Sequence, residues 1–267
     1  MDMIDSELKK LSQLILKAAR QELLPRFKNC KVNVKEDGSF ITEADLAIQN
    51  FLKTELKKQW PEYKFFAEEM PIDKMEDFFA ENSDGFWCLD PIDGTSNFSC
   101  GLPYFSISLA LIKNSKTELG IVYDPIRDEC FSAIRGKGAW LNGQPLKVSQ
   151  SKRPLKKAMA LIDIKRLEAD LRQRLVLDPP YHSQRSLGSV ALDWCWLASE
   201  RVHVYLHGKM MLWDYAAGLL IAQEAGCLSL GLDGLPVYHL SLKPRQAMGA
   251  VENTLYQEWW KYLDGHN

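Results

Sequence analysis

The sequence predicts an α/β protein in which residues 1–148 form an α+β half and residues 149–267 an α/β half. Three observations predict this. Between Tyr104 and Val148, apolar runs follow one another across short turns, the rhythm of an antiparallel or mixed sheet. Beyond Ala158, helical and extended patterns alternate. The polar, basic run Ser149 to Lys157 lies between the two rhythms and marks the boundary between an N-terminal and a C-terminal subdomain. At 267 residues the chain can bury a large core as one domain or two closely packed subdomains.

In chain order, Leu8, Leu11, Leu14, Ile15, Ala18, Ala19 and Leu23 recur at helical spacing and predict a helix from Asp5 to Leu24, ended by Pro25. Lys31 to Lys35 alternates like a short half-exposed strand, and Asp37-Gly38 turns the chain. Thr42-Glu43-Ala44-Asp45 opens a helix with one apolar stripe through Ile48, Leu52 and Leu56, closed by Trp60-Pro61. On its own, Asp45 suits a first-turn carboxylate favoured by the helix dipole. Lys64 to Ala67 is a buried strand that delivers Glu68 and Glu69. If it stays extended, the two acids point to opposite sides and have different roles. Residues 70 to 85, acidic around Met75, Phe78 and Phe79, read as a short surface helix.

Core strands are expected at Tyr104 to Ile112, Leu119 to Tyr123 and Glu129 to Ile134, with Asn142-Gly143 as a hairpin turn before Leu146 to Val148. In the second half, Ala158 to Ile162, Val202 to Leu206 and Ala247 to Val251 read as strands. Helices are expected at 165 to 176, from Val190 to Ala198, from Trp213 to Ala225 and from Leu255 to Leu263. The segment after Leu206, Gly208 to Leu212, reads as a loop.

Composition excludes several classes. Apolar content of 46% and charged content of 25% are those of a globular protein, and a net charge of −2 gives no case for a nucleic-acid polymer or an anionic membrane as partner. Six scattered cysteines without a C-x-x-C pair, and an N-terminus mixing acids with lysines, predict free thiols in a cytoplasmic protein without a secretory leader. The five histidines lack metal-ligand spacing, which argues against zinc, and no phosphate-loop string is present.

The chemistry gathers at Asp90-Pro91-Ile92-Asp93-Gly94-Thr95. The apolar run Phe86 to Leu89 delivers the chain to Asp90, Pro91 ends the regular ladder, and Asp93-Gly94 turns it. Two carboxylates three residues apart thus stand on a stiff corner after a buried strand. Glu68, Asp90, Asp93 and Asp214 each follow or begin an apolar element, which is how separate elements present oxygen ligands to a hard divalent cation. Taken alone, Asp93-Gly94 reads as an ordinary surface turn after a core strand.

Asp90 to Thr95 resembles the D-P-(I/L)-D-G-T signature of the inositol monophosphatase-like family of Mg²⁺-dependent, lithium-sensitive phosphatases. Trp213-Asp214-Tyr215-Ala216-Ala217-Gly218 resembles that family's W-D-x-A-A-G. The resemblance implies a layered αβαβα sandwich of the inositol monophosphatase and fructose-1,6-bisphosphatase type. It also implies two or three Mg²⁺ ions held by Glu68, Asp90, the Ile92 carbonyl, Asp93 and Asp214, and hydrolysis by a metal-activated water oriented by Glu68 and Thr95. Asp45 would pair with Thr95, Lys35 would balance the acids, and the Gly94 and Thr95 amides would hold a phosphate oxygen. Arg185, Gly188 and Ser189 match a substrate-side R-x-x-G-S-x-A segment, although Gly188-Ser189 equally suits a helix N-cap. Asp214 would face substrate as well as metal.

The implied substrate is a small phosphorylated metabolite, inositol 1-phosphate or a related polyol phosphate, and the implied assembly a homodimer. A 3′(2′),5′-bisphosphate nucleotidase is the nearest alternative, followed by fructose-1,6-bisphosphatase, histidinol phosphatase and a non-catalytic metal-binding scaffold. One departure stands out. The family carries a glutamate seven residues before the W-D aspartate to grip a substrate hydroxyl, and here that residue is His207. A histidine there is expected to meet a second phosphate or to point into solvent.

Overall fold

A computed structural model describes residues 3–29, 31–35, 38, 40–71, 74, 75, 78, 85–149 and 151–265. Helix α1, Met3–Ala18, runs on through a π turn, Ala19–Leu23, into a 3₁₀ turn, Leu24–Arg26, that contains Pro25. Strands β1, Val32–Val34, and β2, Phe40–Thr42, pair antiparallel. Helix α2, Glu43–Gln59, begins with a capping box in which Thr42 and Asp45 satisfy each other's end of the first turn.

The larger sheet follows. β3, Lys64–Ala67, lies parallel to β4, Phe86–Asp93, which is buried along its whole length. After the short helix α3, Thr95–Cys100, the chain adds β5, Ser106–Lys113; β6, Lys116–Asp124; β7, Glu129–Ile134; β8, Gly138–Leu141; and β9, Gln144–Leu146. These pair antiparallel in sequence order, giving seven strands, β3 to β9. Asn142 and Gly143 both take positive φ, the geometry that the β8–β9 hairpin turn requires.

The second half builds β10, Met159–Asp163; a 3₁₀ turn, Ile164–Arg166; α4, Ala169–Leu177; β11, Ser183–Arg185; α5, Val190–Ala198; and β12, Val204–Met210. Then come α6, Leu212–Ala225; β13, Leu228–Leu230; β14, Arg245–Ala250; and α7, Asn253–Asp264. The smaller sheet has the order β11-β10-β12-β14-β13, with the first three strands parallel and the last two pairings antiparallel.

Alternation along β4 to β6 sends side chains to two cores. On one face Trp87, Leu89, Ile107, Leu109 and Ile121 meet Leu11 and Ile15 of α1 and Ile48 and Leu52 of α2. On the other, Cys88, Ala110 and Val122 meet α5 and α6, which also cover Leu161, Tyr205 and Met248 of the smaller sheet. Trp259 of α7 packs on the far side of that sheet and donates to the Tyr205 carbonyl. The layers therefore run α, β, α, β, α, the sandwich that the resemblance implied.

Three expectations change. β12 continues through Gly208 to Met210 because β14 pairs with it as far as Met210–Arg245, across a bulge after His207. Gly208 to Met210 is thus strand, not loop. Glu68 and Glu69 lie in a turn after β3, not on an extended segment. The helix expected at 165 to 176 starts later, at Ala169, behind the 3₁₀ turn. Asp37, Cys30 and most of the segment 70 to 85 read as a surface helix lie outside the described residues.

Candidate active site

The acids converge because strand ends and helix starts share one edge of the structure. Ala67 pairs with Leu89, and the Glu68 amide donates to the Leu89 carbonyl at 3.1 Å, so Glu68 leaves β3 beside Asp90. The β4–β5 register breaks between Asp90 and Asp93, where Pro91 sits, and the bulge carries both aspartates round the corner. Ser108, the partner of Asp90 on β5, donates to the Trp213 carbonyl at 3.3 Å. That contact seats the start of α6, and Asp214 with it, over the same strand end. Asp45 arrives on the first turn of α2.

Each acid is tethered. The Asp90 Oδ1 accepts from the Ile92 amide at 3.0 Å, and the Asp214 Oδ2 from the Met211 amide at 2.7 Å. Asp93 accepts from the Ser189 hydroxyl at 2.5 Å and from the Val190 and Ala191 amides at 3.1 and 2.7 Å. These last bonds tie the larger sheet to the start of α5. Gly94 and Gly188, both at positive φ, meet at this junction, where a Cβ on Gly94 would stand 3.1 Å from the Gly188 carbonyl. Only glycine combines that backbone with that proximity. Asn97 completes the clamp by donating to the Tyr104 and Leu187 carbonyls, both at 2.7 Å.

Lys35 Nζ meets Glu69 Oε1 at 2.6 Å and Glu68 Oε1 at 3.2 Å. The two glutamates therefore converge on one cation, contrary to the expectation that they face opposite ways, because the turn after β3 brings both round. Asp45 does not pair with Thr95 as expected. Its Oδ2 accepts from the Thr42 amide at 2.7 Å and hydroxyl at 2.6 Å, the capping box of α2, while the Thr95 hydroxyl donates to the Ile92 carbonyl at 2.9 Å. Ser189 begins α5 without capping it, its hydroxyl being committed to Asp93. Arg185 is exposed and bonds to Ser183 and Gln184.

Electrostatics sets these groups apart from ordinary surface acids. Burial, then the charges of Glu68, Asp93 and Asp214, pushes Asp90 well above the usual aspartate range, and burial with Asp93 and Glu68 does the same to Asp214. Burial lifts Asp93 to about 6 against the opposing hydrogen bonds from Ser189, Ala191 and Val190. Asp45 rises to about 6 and Glu69 to about 7, again chiefly through burial. Burial opposes the charge on Lys35, yet Glu68 and Glu69 hold its pKa above the ordinary lysine value.

A donor set of oxygens alone, several acids to one paired lysine, and a buried Asp45 Oδ1 without a partner fit a hard divalent cation. Among the described residues no three of these acids stand close enough together to enclose an ion; they influence one another through charge. A surface cavity of ≈ 390 Å³ lined by Lys57, Tyr63, Lys64 and Trp87 lies at the other end of β3 and is no part of this site.

The sequence missed two features. Asp193, buried on α5, accepts from the Tyr104 hydroxyl at 3.0 Å, and burial raises its pKa well above normal. His207 is buried, with Nε2 3.2 Å from Asp163 Oδ2 and Nδ1 accepting from the Lys209 amide at 3.2 Å. It does not point into solvent, and both ring nitrogens are engaged within the protein. Asp163 and His207 lie far apart in the sequence, so no local pattern pairs them; the β10–β12 register does.

A family model described as the inositol monophosphatase family matches residues 4–263. The chain belongs to this family. It is 37% identical over 201 residues to the Nus factor SuhB of Haemophilus influenzae, covering 73% of each chain. It is 38% identical over 198 residues to inositol monophosphatase 1 of Solanum lycopersicum, covering 72% of each. Among solved structures, a LiCl-soaked inhibitory complex of staphylococcal inositol monophosphatase-1 superposes with a TM-score of 0.86 at 25% identity, over 100% of this chain and 98% of that one. An IMPase/NADP phosphatase complexed with Mg²⁺ and phosphate gives 0.78 at 25%, over 99% and 94%. Membership in the inositol monophosphatase family supports metal-dependent phosphomonoesterase chemistry. No helix among the described residues is long and apolar enough to cross a membrane.

Proposed function

We propose that the chain is a Mg²⁺-dependent phosphomonoesterase acting on inositol 1-phosphate or a related polyol phosphate. The observation that carries this reading is the gathering of tethered carboxylates at one strand end, whose pKa values burial and then one another's charge push up. Glu68, Asp90, the Ile92 carbonyl, Asp93 and Asp214 would hold two or three Mg²⁺ ions. The relative solved with Mg²⁺ and phosphate supports this choice of metal. When bound there, Mg²⁺ supplies Lewis-acid chemistry, polarising phosphoryl oxygens and acidifying water.

The chain's own residues do the remaining work. The first-turn amides of α3, which have no partner within the helix, receive a phosphate oxygen. Gly94 lets the backbone approach it. Thr95 and Glu68 orient the attacking water, and Lys35 holds Glu68 in place. Asn97 fixes the distance between α3 and the start of α5.

Phosphate release from inositol 1-phosphate, adenosine 3′,5′-bisphosphate, fructose 1,6-bisphosphate and histidinol phosphate, each with Mg²⁺ and with chelator, tests the proposal. Mg²⁺-dependent release that is fastest from inositol 1-phosphate is expected. Release unaffected by exhaustive chelation would refute the mechanism, and preference for a bisphosphate would refute the substrate.

A further inference from the structure

Strands β10, β11 and β12 are parallel, so their carboxyl ends lie at one edge of the smaller sheet. Ligands of such sheets bind outside that edge. β12 leads from it directly into Asp214, and β11 into Gly188 and Ser189. β10 ends there at Asp163, the register partner of His207. The charges of Asp193, Asp93, Asp214 and Asp163 all act on the Tyr205 hydroxyl. Arg166 acts on Asp214.

We infer that Asp163 is the carboxylate that selects a hydroxyl-bearing leaving group, with His207 as the residue that positions it. The inference rests on the phosphomonoesterase reading above. His207 is 6% exposed in its side chain and spends Nδ1 on the Lys209 amide, which leaves Nε2, 3.2 Å from Asp163 Oδ2, as the atom that donates to Asp163. Asp163 is 24% exposed in its side chain and is therefore the member of the pair that a substrate can touch. Arg166 Nε, 3.4 Å from the same Oδ2, fixes the carboxylate from the other side.

The backbone enforces the arrangement. A Cβ on Gly208 would run into the Arg166 carbonyl, so the 3₁₀ turn that carries Arg166 lies directly on β12. Burial works to raise the Asp163 pKa, but His207, Arg166 and the Lys165 amide hold it below the usual aspartate value, which leaves it ionised. An ionised carboxylate accepts only, and with His207 and Arg166 on Oδ2 its other lone pairs suit a neutral polyol's hydroxyl hydrogens. The same charge disfavours an anionic leaving group.

The test compares kcat/KM for inositol 1-phosphate with that for p-nitrophenyl phosphate, whose leaving group offers no hydroxyl, under one Mg²⁺ concentration. Asp163→Asn is expected to lower the ratio of the first to the second by about tenfold to a hundredfold, the scale of one charged hydrogen bond. His207→Phe is expected to lower it similarly, and His207→Gln, which keeps a donor near the Nε2 position, to restore most of it. An unchanged ratio in Asp163→Asn overturns the inference while leaving the phosphatase reading intact, as does a His207→Gln ratio as low as that of His207→Phe. Wild-type protein that hydrolyses neither ester overturns both. Should His207→Phe fail to fold, Asp163→Asn and His207→Gln decide the matter.

Discussion

Freed of divalent cations, the protein should become more stable as the pH falls from about 8 to about 5, the opposite of ordinary acid denaturation. Asp45 and Asp93 both move from an ordinary 3.8 to about 6 in the folded state, and both are almost wholly buried. An acid with a raised folded pKa binds more protons folded than unfolded between the two values, so its penalty is complete above the folded pKa and gone below the unfolded one. A shift of about two units is worth about 3 kcal/mol per group. Glu68 repels both, so the two do not add in full, and the pair is worth between about 3 and about 6 kcal/mol. Asp90 and Asp214 shift the same way and extend the window upward, while Glu69, at about 7, marks its middle. His203 works against the trend, because burial lowers its pKa and its protonation costs stability. By pH 5 each group has crossed only about one pKa unit, about 1.4 kcal/mol, so at roughly 2 °C or more per kcal/mol for a chain of this size the melting temperature in chelator should rise by about 3 °C or more across the window. Mg²⁺ at a hundredfold excess over its dissociation constant should raise stability at the alkaline end by about 2.7 kcal/mol and flatten the profile. Thermal unfolding followed by circular dichroism, with EDTA and with Mg²⁺, measures both curves. A melting temperature in EDTA that is flat or falling from the alkaline to the acid end would refute the reasoning.

Asp93→Asn should lower turnover by roughly two orders of magnitude or more, the scale of losing one preorganised charge at a reacting centre. Stability without metal should change little, because relief of repulsion offsets the mismatch between an amide N–H and the Val190 donor; wild-type turnover in a folded variant would remove Asp93 from the site. Lithium should inhibit the Mg²⁺-dependent release of phosphate, and insensitivity at saturating substrate would count against the close likeness to inositol monophosphatases. Gly208→Ala should cost about 1–3 kcal/mol or more through the clash with the Arg166 carbonyl, read as a lowered denaturant midpoint at unchanged slope. An unaltered midpoint would show that the 3₁₀ turn is free to move.

What was legible in the sequence was the chemistry that acts locally. Pro91 and Asp93-Gly94 signal a corner because proline and glycine restrict or free the backbone where they stand. The corner is where β4 bulges. Asn142-Gly143 likewise states its own turn. Glu68 and Glu69 were misjudged because the end of β3 is set by its pairing with β4, and no pattern within four residues reveals where a strand stops. His207 was placed beside a loop because Gly208 interrupts the apolar pattern, whereas β14 and the Arg166 turn hold that glycine in the sheet. Tyr104 and Asp193 meet across 89 residues, a separation at which only the fold brings partners together.

The tethers show how a fold tolerates so much like charge in one place. Asp90, Asp214 and Asp45 each give one oxygen to backbone amides, with Thr42 adding its hydroxyl, and the other Asp45 oxygen is buried without a partner. A carboxylate held through one oxygen cannot swing away from its neighbours to relieve their repulsion, so orientation is fixed by the chain rather than by whatever it binds. Asp93 differs, with both oxygens accepting, and its donors come from the opposite half of the chain. The ligand role proposed for it therefore depends on α5 staying docked against the larger sheet. The metal affinity of this site and the contact between the two halves are, on that account, one equilibrium: loosening the Ser189 junction should weaken both together.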